Sequence, residues 1–317
     1  MPDSLRSDGV VGGFDDVDDA ACSSTVSPLS RGAFDRRSAL VAGAAAVAAA
    51  LLAGCAPLVL GGAVLGTGLV VTDRRTTGIQ IEDQPEGMKR PSFIRMDPPR
   101  HDEQRKVASP IVAPGNLQNM QSLIRERTRM VLDGLPRNET FDWVEHVSVN
   151  LTTMMLATLF DFPFEERHKL TYWSDVAIAN VNAPEAPVHS EAERFEVLKG
   201  MAAYMGGLFE ERRKQPPKFD LISMLAHGES TRDMPLTEFM GNLALLIVGG
   251  NDTTRNTMSG SVLALNDNPD QYRKLRDNPA LIESMVPEVI RWQTPLAHIR
   301  RTALQDTELG GKRIKKG

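Results

Sequence analysis

The residues best suited to chemistry are Gly249-Gly250-Asn251-Asp252-Thr253-Thr254: two glycines, an amide, an acid and two hydroxyls. Inside a helix each glycine is unfavourable by roughly 1 kcal/mol against alanine. Thr253 can also turn its hydroxyl back onto the carbonyl of Gly249, which bends a helix. A chain that bears this in mid-helix usually accommodates something, such as a ligand pressed against bare backbone. The plainer reading is a glycine-bent core helix with Asp252 in a buried polar network. A second group, Glu288-Val289-Ile290-Arg291, sets an acid and a base on one helical face, with Trp292 and Pro295 following. Alone, such a pair is common on surface helices. Arg301-Thr302-Ala303 follows further on, and the order of the three groups gives them weight.

The first group sits in a long apolar run. Phe239, Met240, Leu243, Leu245, Leu246, Ile247 and Val248 precede it, and Met258, Val262, Leu263 and Leu265 follow. No proline or turn cluster interrupts Thr237 to Ala264, and apolar residues recur at three and four. This predicts one long buried helix, capped by Thr237 after Pro235. Amphipathic helices are expected over Leu117 to Leu132, Trp143 to Leu159, Leu170 to Asn180 and Ser190 to Lys214. The last carries Met201, Tyr204, Met205, Leu208 and Phe209 on one face. Pro216-Pro217 and Asp220 open a short helix, and Asn268-Pro269 and Asn278-Pro279 punctuate two more. Asp306 to Gly317 alternates about Gly310-Gly311, which predicts a short hairpin. The expected class is mainly α with little sheet.

The 317 residues carry a formal net charge of -5, so nothing points to nucleic acid. Cys22 and Cys55 have no metal-site spacing and form no disulfide framework. Few aromatics and many methionines suit a helical core with adaptable apolar walls. Residues 1–34 are polar and small, with Asp15, Asp16, Asp18 and Asp19, and read as a disordered leader. Residues 35–55 have the plan of an export signal: Arg36-Arg37, an apolar run from Ala39 to Ala53, then Leu52-Ala53-Gly54-Cys55. That ending resembles a bacterial lipobox, which implies lipidation at Cys55 and membrane anchoring. Residues 56–87 form a Gly-rich apolar stretch and linker, with an uncleaved membrane span as the alternative. From Cys55 to about Gln84 the wording resembles the opening of BON-domain lipoproteins. Residues 88–317 are taken as one incomplete helical domain.

Together, the three groups resemble a cytochrome P-450. The glycine-rich stretch is similar to the family's oxygen-activating I helix, and Glu288 and Arg291 match the E-x-x-R of its K helix. Asp97-Pro98-Pro99-Arg100-His101-Asp102-Glu103-Gln104-Arg105 resembles the start of its C helix. The resemblance therefore implies a partial fold, helices C to K. It implies haem b, with His101, Arg105 and Arg301 on the propionates and Gly249 and Gly250 passing close over the ring. Asp252 would relay protons and Thr253 would hold dioxygen by a hydrogen bond. Gly250-Asn251-Asp252-Thr253-Thr254-Arg255-Asn256-Thr257 and Arg291-Trp292-Gln293-Thr294-Pro295-Leu296-Ala297-His298 are most similar to bacterial enzymes that hydroxylate the terminal carbon of alkanes and fatty acids. Leu245, Leu246, Val248 and Leu296 are the candidate apolar channel. A ferredoxin with its reductase is the implied electron source, and the cytoplasm the implied location.

The family's axial ligand lies in a Phe-x-x-Gly-x-x-x-Cys-x-Gly loop, a pattern not found in these 317 residues, so the haem-ligand cysteine is absent. Three readings follow: part of an alkane or fatty-acid monooxygenase, a membrane-anchored lipoprotein-like or non-catalytic fusion, and an inactive relic. The join between export-type and cytosolic-type halves fits a fusion of two gene pieces.

Overall fold

The structure is a computed structural model that describes residues 84–317, apart from 298, 300 and 301. The expected leader, the signal with Cys55, the Gly-rich stretch and Arg301 lie outside the described residues. After a one-turn helix at Phe93–Arg95 come α1 (Arg100–Ala108), α2 (Pro114–Asn119) and α3 (Gln121–Asp133). A π-helical turn at Val144–Val149 runs into α4 (Asn150–Phe160). Then follow α5 (His168–Ile178), α6 (Glu191–Arg213), α7 (Leu221–His227), α8 (Leu236–Asp267), α9 (Pro269–Asp277) and α10 (Ile282–Gln293). β1 (Thr307–Leu309) and β2 (Lys312–Ile314) pair antiparallel, Glu308 opposite Arg313, about left-handed Gly310 and Gly311. No described helix is long and apolar enough to cross a membrane.

The 32-residue α8 organises the rest, spanning about 48 Å at 1.5 Å per residue. Helices α4, α5, α6 and α10 all pack on it. Helix α4 brings buried Leu151, Met155, Leu156, Leu159 and Phe160 to the core. Two glycines set these crossings. A Cβ on Gly250 would stand 2.7 Å from Cδ2 of Leu156, and one on Gly260 would meet the Gln293 side chain of α10 at 2.5 Å. The hydroxyls of Thr253, Thr257 and Ser261 each donate to the carbonyl four residues back. The sequence expectation for Thr253 thus holds, but as one step of a ladder.

Two start signals differ from expectation. Helix α8 begins at Leu236 with Pro235 as its N-cap, not Thr237, because proline fixes the entry φ and no side chain caps the turn. The helix expected over Leu117 to Leu132 is two, broken at Met120, whose ψ of -5° ends α2 before α3 starts.

Asp220 does cap α7, accepting from the amide of Ser223 at 2.8 Å, while its Oδ2 is buried without a partner. Burial pushes its carboxyl above the usual range, only partly offset by the Ser223 amide. A folded-state pKa above the unfolded one means that the charged form costs stability. That cost is present above the folded pKa and vanishes as pH falls to the unfolded value. Asp220→Asn keeps the cap and should raise the melting temperature at neutral pH while flattening the acid dependence. Asp220→Ala should lower stability by about 1 kcal/mol. Thermal melts between neutral and mildly acid pH check both.

Candidate functional site

The site is built where α1 and the segment before it meet α8. Along an otherwise apolar helix start, Glu238 and Asn242 stand one turn apart and are buried. Glu238 accepts from Nε2 of Gln104 at 2.6 Å and pairs with Arg100. Asn242 donates to Oε1 of Gln104 at 3.0 Å and accepts from the amide of Phe93 at 2.8 Å. Between them, Gly241 lets the Arg90–Pro91 backbone lie on the helix, since a Cβ there would come 2.0 Å from the carbonyl oxygen of Pro91. Sequence reasoning missed this network. Its only local sign is two polar residues at helical spacing in an apolar run, and the partners come from 134 to 149 residues away.

That clamp fixes α1, and α1 presents His101 and Arg105 one turn apart. His101 places Nδ1 2.8 Å from the carbonyl of Phe93. A carbonyl only accepts, so Nδ1 carries the hydrogen, and Nε2 donates to an anion only when the ring is an imidazolium. Arg105 is half-buried, has no side-chain partner among the described residues, and lines an open hollow of about 570 Å³ with Asp102, Lys106 and Ser109.

In the middle of α8, Gly249 is buried, yet a Cβ added there would meet nothing within 4 Å. There is room inside the fold beside this residue. Thr253 shares that side and donates to Gly249 O at 3.0 Å. With its one hydrogen committed, its hydroxyl has only acceptor lone pairs left to offer. Leu245, Leu246 and Val248 are half-buried just upstream.

Asp252 is neither free nor deeply buried. Its Oδ1 accepts from Arg255 at 2.7 Å and from Asn256 at 3.1 Å, which leaves Oδ2 available. Arg255 also donates to Asp175 of α5 at 2.9 Å. Burial pulls the Arg255 guanidinium down, but Asp175 and Asp252 outweigh this and hold it above its ordinary value. The plainer reading of Asp252, a polar network, is therefore true of one oxygen.

Other candidates fall elsewhere. Gly250 points at Leu156 of α4, so its missing side chain serves helix packing, not the ligand approach expected for both glycines. Glu288 and Arg291 form a two-pronged pair at 2.8 and 2.6 Å on the exposed face of α10. The hydrogen bond from Arg291 holds the Glu288 carboxyl below its usual range. Leu296, expected as a channel wall, is 44 % exposed because it follows Pro295 in the loop leaving α10. Arg301 is not among the described residues.

A profile of the family described as Cytochrome P450 matches residues 73–317. Linalool 8-monooxygenase of Pseudomonas putida is 36 % identical over 226 residues, 71 % of this chain and 55 % of its own length. The solved Cytochrome P450-153 from Novosphingobium aromaticivorans superposes with a TM-score of 0.69 at 46 % identity, covering 78 % of this chain and 62 % of that one. P450BioI, solved in complex with hexadec-9Z-enoic acid ligated acyl carrier protein, gives 0.66 at 26 % identity, covering 74 % and 62 %. The chain thus spans about half the length of the curated relatives it matches.

Proposed function

The chain belongs to the cytochrome P450 family, and we propose that it contributes to a haem-dependent monooxygenase that hydroxylates the terminal carbon of alkanes or fatty acids. The observation that carries this reading is the unfilled space beside buried Gly249, one turn from the Thr253 hydroxyl and next to Leu245, Leu246 and Val248. The resemblance to P450BioI, solved with a fatty acid ligated acyl carrier protein, supports the substrate class. Ferredoxin and its reductase are the proposed electron source.

The residues present fit one side of the family's cofactor, haem b. Gly249 leaves room for a flat ring, and Arg105, beside its hollow and unpartnered among the described residues, suits a propionate through a forked charge-assisted bond. His101 would add a second contact through Nε2. The axial thiolate is another matter: both cysteines, Cys22 and Cys55, precede the described residues. Haem, when bound with a thiolate, supplies the activation of dioxygen. The chain's own part is position, exclusion of water and proton supply. Thr253 offers lone pairs that accept a hydrogen bond at the reacting side. Asp252 leaves Oδ2 open to take up and pass on a proton while Arg255 fixes Oδ1, so the carboxyl cannot swing. The half-buried leucines keep the approach apolar.

The test is a pair of variants in the assembled enzyme, with a segment carrying the Phe-x-x-Gly-x-x-x-Cys-x-Gly loop supplied. Thr253→Ala should divert electrons to hydrogen peroxide with little change in fold. Asp252→Asn should lower turnover by about a hundredfold, as loss of a positioned proton donor does. Peroxide and product are measured against reductant consumed. Unchanged coupling in the first and unchanged turnover in the second would remove α8 from the site.

A further inference from the structure

The side chain of Arg90 takes no part in the clamp on α8. It is only 6 % exposed, and its guanidinium makes no hydrogen bond or ion pair among the described residues. Its side-chain nitrogens are nevertheless not completely closed off. Its backbone is held firmly: the amide donates to Oε1 of Gln84 at 2.9 Å, and its carbonyl accepts from Arg95 at 3.2 Å. Arg95, Arg194 and Glu191 are the charged groups around it. Glu191, the one acid of the three, is committed to Arg194, which also donates to the carbonyls of Val176 and Ala179. Burial first, and then Arg194, pull the Arg90 guanidinium down to about 10. A buried cation in a surplus of positive charge, without a partner, is costly unless an anion joins it.

Where Arg90 sits says which anion. Gly241 seats Arg90 and Pro91 on α8, with the Arg90 carbonyl oxygen 2.9 Å from an added Cβ. Leu245, Val248 and Asp252 follow Gly241 on the same stripe of the helix. From Gly241 to the stretch Gly249–Thr253 is roughly 12–18 Å at 1.5 Å per residue. An extended chain advances about 1.2 Å per bond, so this span takes about ten to fifteen bonds. We infer that Arg90 is the carboxylate anchor of a fatty acid of about 12–16 carbons, whose tail runs along Leu245 and Val248 and presents its methyl end at Gly249 and Thr253. The inference rests on the proposed chain-hydroxylating function and decides between its two substrate classes. An alkane would leave Arg90 unmatched, whereas a carboxylate meets it in a forked pair.

The test is equilibrium binding to the full chain by calorimetry, below micelle-forming concentrations, with tetradecanoate, 1-tetradecanol and butanoate as probes. Tetradecanoate should bind at least tenfold more tightly than the alcohol, and butanoate should not bind measurably. Arg90→Gln should weaken the long acid about tenfold to a hundredfold and leave the alcohol unchanged. Arg90→Lys should keep part of the preference. Equal binding of acid and alcohol by the unaltered chain, a reading that needs no variant, would overturn the anchor and leave the chain-binding site standing. So would an acid preference that survives Arg90→Gln. If neither long probe binds, the anchor and the proposed substrate class fail together.

Discussion

Gly241→Ala should destabilise the protein by about 3 kcal/mol, at the upper end for overpacking, and detach the segment before α1. The added Cβ would fall 2.0 Å from the Pro91 carbonyl oxygen and 2.8 Å from its carbon. Both are backbone atoms that no rotamer change can move. The segment is also tied by Phe93 to Asn242 and, through Gln104, to Glu238, so it cannot withdraw without breaking buried hydrogen bonds. Gly249→Ala is the contrasting case. Nothing lies within 4 Å of the added Cβ, and alanine is the better helix former, so the chain should gain about 1 kcal/mol. Denaturant melts of the two variants side by side separate a glycine required by its neighbour from one that only leaves space. A stable Gly241→Ala would mean that the Arg90–Pro91 contact is not what holds this segment to α8.

That contrast also marks what the sequence could disclose. The length of α8, the hydroxyl bond from Thr253 to Gly249, the Asp220 cap and the turn at Gly310-Gly311 all follow from local rules, and the structure has each. So does the pairing of Glu288 with Arg291, because its spacing alone brings the groups together. Gly249 and Gly250 look identical in the chain, but one faces space and the other Leu156, and only the position of α4 tells them apart. Glu238, Asn242 and Gln104 were illegible for the same reason. Each is an ordinary polar residue until a partner more than a hundred residues away completes it. Arg90 reads as a surface charge in a polar stretch, and its burial is a tertiary fact.

The second large effect concerns the cofactor. The described residues supply room at Gly249, an acceptor hydroxyl at Thr253, and a basic pair at His101 and Arg105. They include no cysteine. A haem placed here by these residues alone would be held by its edges and not by a thiolate, and thiolate ligation gives the family its oxygen chemistry. Adding a segment that carries the Phe-x-x-Gly-x-x-x-Cys-x-Gly loop should supply that ligation, and Arg105→Ala should then weaken haem retention by removing a charge-assisted contact.

The most direct measurement is the absorption spectrum of the reduced, carbon monoxide-treated protein after haem addition, recorded for the chain alone and for the chain completed with that segment. The completed protein should show the red-shifted Soret band of a thiolate-ligated haem, and the chain alone should show none. A thiolate band from the chain alone, abolished by replacing Cys22 or Cys55, would contradict it. So would a completed, folded protein that binds haem without that band.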